Sequence, residues 1–170
     1  MTNLHIIVAP DPRLLKISKS ITDIDQEIKV LLNDMLEVMY KSNGIGLAAP
    51  QVGILKRLIV MDCTDSENKR NSFKFINPKI LELSNEMSQY EEGCLSLPRQ
   101  FAKVERPKEI IVQYKDEDGK DNKKKFYGIE ATCLQHEIDH LDGKLFVDHI
   151  SKLKRSRILQ KLKTYKKKIK

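Results

Sequence analysis

The hydrophobic pattern near the N-terminus predicts an amphipathic helix over residues 25–39. Its apolar positions recur every three or four residues, which places them on one helical face: they are Ile28, Leu31, Leu32, Met35, Val38 and Met39. Thr22 or Asp23 is expected to cap the start of this helix, and Asn43 with Gly44 provides a stop.

The middle of the chain has the short apolar and alternating segments that are typical of β-strands. Strands are predicted at 57–62, 73–77, 79–83, 88–91, 101–105, 109–115 and 123–127. The last two flank Asp-Glu-Asp-Gly at 116–119, which predicts a β-hairpin. Residues 65–72 are polar and predict a loop.

Two more helices are predicted in the C-terminal third. Residues 129–141 contain no helix breaker and precede Gly143, which indicates a buried helix. In the tail, one stripe of apolar residues among many Lys and Arg predicts an amphipathic helix. This stripe consists of Leu153, Ile158, Leu162, Tyr165 and Ile169. We find no repeat and no linker, so the predicted class is α+β, with antiparallel β-sheets packed around a central helix and a C-terminal amphipathic helix.

The positive net charge is concentrated at the C-terminus. The chain has a net charge of +7, but residues 151–170 hold ten Lys or Arg and no acidic residue, which leaves −3 for the other 150 residues. The body is therefore mildly acidic and the tail basic. Three cysteines without a dense spacing pattern, no apolar run long enough to cross a membrane and no signal-like N-terminus lead us to expect a cytoplasmic protein.

The clearest chemical motif is His-Glu-Ile-Asp-His at residues 136–140. Residues four apart lie on one face of a helix, so His136 and His140 can bind the same metal ion. Glu137 can act on a water molecule beside that ion without being a ligand. The sequence therefore predicts a metal-dependent hydrolase.

A catalytic site of this kind needs a third protein ligand. The extended metalloprotease pattern requires His at 146, where Phe146 stands, and no Glu follows Glu137. Asp148 and His149 are formal alternatives, although His149 is expected at the surface.

Upstream, the three cysteines are the remaining candidates. Cys133 is seven residues from His140, about 10.5 Å along a helix, and is better interpreted as a wall of the pocket. Cys63 follows an apolar strand and fits a core. Cys94, preceded by Gly93 and followed by Leu95, is the favoured third ligand.

A glycine-containing segment, residues 43–51, joins the first helix to the next strand. Taken alone, it predicts a tight turn, and its spacing does not match a phosphate-binding loop. Gln51 at its end is a neutral amide donor, suited to stabilising an oxyanion in a hydrolase.

Three segments together resemble the peptide deformylase family. They are Gly-Ile-Gly-Leu-Ala-Ala-Pro-Gln at 44–51, Glu-Gly-Cys-Leu-Ser at 92–96 and Gln-His-Glu-Ile-Asp-His at 135–140. The resemblance covers nearly the whole chain. It implies a hydrolase that removes the N-formyl group from the N-terminal methionine of newly made polypeptides and releases formate. The length of 170 residues and the absence of a linker predict one domain, in which residues 1–150 form the catalytic part and 151–170 its basic C-terminal helix.

The resemblance also implies roles for individual residues. The metal ligands are Cys94, His136 and His140; Glu137 is the general base and acid; Gln51 and the backbone N–H of Leu95 form the oxyanion hole. Gly46 and its neighbours hold the substrate as an added strand, and Glu92 pairs with Arg106 behind the ligands. The methionine pocket is implied to consist of Ile45, Tyr90, Ile129, Cys133 and His136, although Tyr90 stands where an aliphatic residue is common.

The implied physiological ion is Fe²⁺. One thiolate and two imidazoles also suit Zn²⁺, which such sites bind more tightly, and Ni²⁺ or Co²⁺ can occupy the site in a preparation. The expected partners are N-formylmethionyl peptides and, through the basic tail, the ribosome. We expect a monomer that does not bind membranes.

Two other functions share part of the pattern. A zinc endopeptidase has the same helix motif but takes a third ligand from further along the chain. An RNA-binding module with a structural zinc needs four protein ligands and a basic body. Metal content and an assay of formate release separate the three.

Overall fold

The structure of the protein is a computed structural model, and it is described here for residues 4–65 and 69–168. The described residues contain three α-helices: α1 (Gln26–Lys41), α2 (Gly128–Leu141) and α3 (Lys152–Lys168). The strands are β1 (Gly46–Ala48), β2 (Leu58–Met61), β3 (Phe73–Leu83), β4 (Met87–Cys94), β5 (Leu97–Pro107), β6 (Glu109–Lys115) and β7 (Asp121–Tyr127). Short 3₁₀ helices span Pro12–Leu15, Ala49–Val52 and Phe146–His149.

The strands form two antiparallel sheets. The first has five strands in the order β1-β2-β3-β6-β7, and the second is the β4–β5 ribbon. The predicted α+β class with antiparallel sheets and a central helix is confirmed. The β6–β7 hairpin is also confirmed, and β6 has the predicted bounds.

Strands β1 and β2 of the five-stranded sheet are buried on both faces. In β2, Ile59 and Met61 lie in a core cluster with α2, whereas Leu58 and Val60 lie in a second cluster with α1. This alternation explains the unbroken apolar run of β2, because side chains of consecutive strand residues point to opposite faces. Helix α2 is therefore central, and ten of its fourteen residues are buried.

Several predicted details were wrong. Helix α1 is capped by Asp25, whose carboxylate accepts a hydrogen bond from Ile28 N at 3.0 Å, and not by Thr22 or Asp23. The strands predicted at 73–77 and 79–83 are one strand, because a register shift between Ile76 and Lys79 carries the chain past Pro78.

The glycine-containing segment is also more than a turn. It contains β1, which pairs with β2, followed by the 3₁₀ helix that includes Gln51. Part of the predicted loop at 65–72 lies outside the described residues.

Helix α3 packs on the body through Ile158 and Leu162, which share a core cluster with Leu97, Val104 and Phe146. Leu153 is 62% exposed, so this residue of the predicted apolar stripe does not pack on the body. Ile169 lies outside the described residues. Among residues 4–65 and 69–168, no helix has both the length and the apolar character needed to cross a bilayer.

Candidate metal centre

Helix α2 places the two histidines of the motif side by side. His136 and His140 are both buried, and the centroids of their rings are 5.0 Å apart. Their separation of four residues, slightly more than one helical turn, produces this arrangement. Phe146 stacks on the His136 ring at a centroid distance of 6.1 Å and limits its rotation.

Cys94 reaches the same point from the end of β4. A register shift between Gly93 and Cys94 breaks the regular β4–β5 pairing there. Cys94 Sγ lies 3.3 Å from His140 Nε2, and the ligand atoms of Cys94, His136 and His140 all lie within 4.8 Å of one another. The structure thus brings together the three residues that were predicted to hold the ion.

The electrostatics of the cluster favour a cation. Burial lowers the pKa of His136, but hydrogen bonds with Cys94 and Glu92 outweigh it and raise that pKa well above the usual value. Burial and the charge of His136 lower the pKa of His140 well below its usual value, so its imidazole is neutral, as a metal ligand must be. The contacts that attract a proton to His136 attract a metal ion in the same way.

Glu92 and Arg106 pair behind the histidines, as the resemblance implied. Arg106 Nε and Nη2 donate to the two oxygens of Glu92 at 2.6 and 3.1 Å, and His136 Nδ1 lies 2.9 Å from Glu92 Oε2. Burial raises the pKa of Glu92, but the bonds from His136 and Arg106 prevail and keep it below the usual value. Because Nδ1 of His136 is engaged, Nε2 is the ring nitrogen left for an ion.

Glu137 lies in the wall of a cavity of about 470 Å³, within the range of small-molecule sites. Its carboxylate is buried, and Oε2 has no hydrogen-bond partner among the described residues. Burial raises the pKa of Glu137 to about 7. A general base for neutral pH needs a pKa in this range.

The cavity also contains the residues predicted to bind substrate. Its lining includes Ile45, Gly46, Gln51, Tyr90, Leu95, Ile129, Cys133 and His136. Gly46 has to be glycine, because a Cβ there would lie 2.6 Å from Cys133 Sγ and 2.7 Å from Glu137 Oε1. Gln51 is fixed by Ala48 N, which donates to Gln51 Oε1 at 2.8 Å and leaves the NH₂ group 3.5 Å from Cys94 Sγ.

The comparisons with known proteins agree with this geometry. A family model described as polypeptide deformylase matches residues 3–156. A peptide deformylase of Rhizobium meliloti is 50% identical over 161 residues, covering 95% of this chain and 92% of that protein. The crystal structure of peptide deformylase from Ehrlichia chaffeensis in complex with actinonin is 42% identical with a TM-score of 0.91, covering 97% of this chain and 98% of that one. This chain belongs to the polypeptide deformylase family.

As a deformylase, the enzyme is a metal-dependent hydrolase that removes the N-formyl group from the N-terminal methionine of newly made polypeptides and releases formate. Membership of this family decides against the zinc endopeptidase and the RNA-binding module.

The other two cysteines of this deformylase lie where the helix geometry and the strand pattern predicted. Cys133 is buried in the cavity wall, with Sγ 3.7 Å from Ile45 O. Cys63 is partly buried and packs against the core cluster that contains Cys133.

Sequence reasoning missed two features of the site. Phe101 lines the cavity, covers Gly93 and is 63% exposed. It belongs to the strand predicted at 101–105, but no motif there marked it as a residue of the site. Asp139 and His149 extend the Glu92–Arg106 pair towards the surface. Asp139 lies within the helix motif, three residues after His136, and this spacing could have identified it as a neighbour of the site. His149 has no such signal.

Proposed function

We propose that Cys94, His136 and His140 hold one divalent ion and that Glu137 is the general base and acid of deformylation. The observation that carries this assignment is the cluster of three ligand atoms within 4.8 Å of one another, in the cavity whose wall contains Glu137. The alternatives for the third ligand have other partners: Asp148 accepts from Leu145 N and Arg155, and His149 bonds to Asp139.

We propose Fe²⁺ as the physiological ion. The donor set of one sulfur and two nitrogens fits a first-row transition metal, including Fe²⁺ and Zn²⁺, and does not fit Mg²⁺ or Ca²⁺, which prefer oxygen ligands. When bound, such an ion supplies Lewis-acid chemistry, because it lowers the pKa of a water molecule and polarises a carbonyl oxygen.

The protein residues carry out the proton transfers. Glu137, buried and with a pKa near 7, takes a proton from the attacking water and later delivers it to the leaving amine. The Gln51 side-chain NH₂ and the Leu95 backbone N–H are the proposed donors to the oxyanion that develops on the formyl group. Gln51 needs little reorganisation for this, because Ala48 N already fixes its amide.

The sheet order supports the proposed mode of substrate binding. Strand β1 is at one end of the five-stranded sheet, and it begins with Gly46 in the cavity wall. A peptide can add to such an edge as a further strand, while the methionine side chain enters a pocket made by Ile45, Tyr90, Ile129, Cys133 and His136. Ile45 and Ile129 are 44% and 42% exposed, which leaves apolar surface for a side chain to cover.

Formate release tests the function directly. Protein purified without oxygen should contain about one metal ion per chain and release formate from formyl-Met-Ala, whereas acetyl-Met-Ala should react much more slowly. Actinonin, present in the Ehrlichia chaffeensis structure, should inhibit this release. Metal analysis of anaerobic and aerobic preparations tests the identity of the ion. Stoichiometric metal without formate release would contradict the assigned activity.

We also propose that residues 151–170 belong to the same domain as the catalytic part and bind ribosomal RNA. Ile158 and Leu162 are buried against the body, while Lys154, Lys161 and Lys163 on the same helix are exposed. RNA phosphates attract such a basic face. The encounter with newly made chains is proposed to occur in the cytoplasm, with the enzyme as a monomer, which sedimentation equilibrium can test.

Neutralising the basic face of α3 should weaken ribosome binding without affecting hydrolysis of a short peptide. The test variant carries Gln at Lys154, Lys161, Lys163 and Lys167, which leaves Ile158 and Leu162 in the core. Cosedimentation with ribosomes at two salt concentrations should show a clear loss of binding and a shallower salt dependence.

The matched control removes four charges elsewhere, with Gln at Lys16, Lys56, Lys120 and Lys123, all of which are exposed. Equal ribosome binding by the two variants would leave α3 with a structural role only. A variant that ends near Ser151 is a poorer test, because it also removes Ile158 and Leu162 from the core.

A further inference from the structure

A continuous series of polar contacts leads from the surface to the ring of His136. His149 Nε2 lies 2.7 Å from Asp139 Oδ2, and Arg106 Nη1 donates to the same oxygen at 2.9 Å. Arg106 binds Glu92, and Glu92 binds His136 Nδ1. The side chain of His149 is 34% exposed, that of Asp139 18% and that of Arg106 only 4%.

The buried positive charge of Arg106 is compensated by Glu92 on the inner side and by Asp139 on the outer side. Arg106 is buried, and Glu92 occupies its Nε and Nη2 but not Nη1. A buried guanidinium is costly unless its remaining donors are satisfied, and Asp139 satisfies this one. Asp139 then carries a negative charge at the edge of the core, and His149 is the group that contacts it from the solvent side.

The short helix Phe146–His149 contacts the metal centre in two ways. Phe146 stacks on the face of the His136 ring, and His149 reaches the Arg106–Glu92 pair through Asp139. Asp139 itself lies on α2 between the two histidines. One segment that precedes α3 thus contacts the ring directly and, through the network, the group that fixes its Nδ1.

We propose that Asp139 and His149 are positioning residues of the metal centre, which hold Arg106 and Glu92 so that His136 keeps the ring orientation needed to bind the ion. This inference rests on the proposed role of His136 as a ligand. It extends the support for the ligands from the buried Glu92–Arg106 pair to a residue at the surface.

Cobalt-loaded protein provides the test, because the visible absorption of Co²⁺ reports ligand geometry independently of turnover. Transfer of Co²⁺ to excess EDTA should be about tenfold faster in Asp139→Asn, the lower end of the ~10–100-fold effects for residues behind a ligand. It should be about threefold faster in His149→Ala, because His149 is one contact further from the ligand than Asp139. The cobalt spectrum should change in both variants. His149→Gln, which keeps a side-chain N–H, should release Co²⁺ more slowly than His149→Ala.

Two variants serve as matched controls. Asp142→Asn removes a carboxylate from the same end of α2, but Asp142 pairs with Arg57 and is not part of the series. His5→Ala removes an exposed imidazole from the N-terminal segment. Both controls should release Co²⁺ at the rate of the parent protein. The double variant Asp139→Asn/His149→Ala should be no faster than Asp139→Asn, because the two residues act in series.

The cobalt experiment distinguishes failure of the proposed metal site from failure of this inference. A parent protein that binds no Co²⁺ overturns the proposed metal site and this inference with it. Parent-like release and spectra in both Asp139→Asn and His149→Ala, from a parent that binds one Co²⁺, overturn the inference alone. It is also overturned if release rates simply follow the melting temperatures of all variants, including Asp142→Asn, since the network would then act only through stability.

Discussion

Cys94→Ala is expected to lose both the metal ion and deformylation. Two imidazoles hold a divalent ion weakly, and Cys94 Sγ is the proposed third ligand atom of the cluster. Loss of a residue behind a ligand already costs ~10–100-fold, so loss of a ligand itself should lower activity by more than ~100-fold. Metal analysis after gel filtration and formate release from formyl-Met-Ala measure the two effects.

The matched control for this variant is Cys63→Ala. Cys63 is also partly buried and free of any disulfide, but it packs against the apolar cluster behind the site. It should retain stoichiometric metal and near-parent activity. If Cys94→Ala also retained stoichiometric metal, the ligand assignment would be wrong and Asp148 or His149 would have to be tested instead.

The accuracy of the sequence predictions depended on how local the determining interactions are. Helix α2 and the β6–β7 hairpin were predicted almost to the residue, because the apolar run and the turn residues specify them locally. Strand β1 was missed because three residues, the first of them Gly46, are too few to show a periodicity. It is a strand only through its pairing with β2. The exposure of Leu153 could not be predicted, because helical spacing alone does not say how far along a helix the body extends.

The candidate site shows the same difference between features set by local sequence and features set by long-range contacts. The clustering of Cys94, His136 and His140 beside Glu137 could be predicted because all four residues belong to short motifs. The Asp139–His149 contact was missed because it depends on how the segment after α2 folds back across that helix. His149 was expected at the surface, and it is partly exposed. Residue spacing along the sequence does not predict that its side chain contacts Asp139.

Glu137→Gln is expected to keep the fold and the metal ion but to lose most of its turnover. Glutamine has nearly the same shape, so the surroundings of Glu137 in the cavity wall should be preserved, but it cannot accept or deliver the proton. General acid–base groups contribute roughly 10²–10⁴-fold to rate, and the loss should appear in kcat. Near-parent turnover with a full complement of metal would assign proton transfer to another group.

The same substitution should stabilise the metal-free protein above neutral pH. In the folded chain burial raises the pKa of Glu137 from 4.5 to about 7, so the folded state binds more protons than the unfolded state between those values. The parent therefore loses stability as pH rises through this window, by roughly 3 kcal/mol at about 1.4 kcal/mol per pKa unit, and Glu137→Gln does not. Urea unfolding of both metal-free proteins at pH 5 and pH 8 measures the difference, which should be small at pH 5 and in favour of the variant at pH 8. An equal difference at the two pH values would show that the Glu137 carboxyl is not held at a raised pKa, and would remove the argument that burial prepares it as a base for neutral pH.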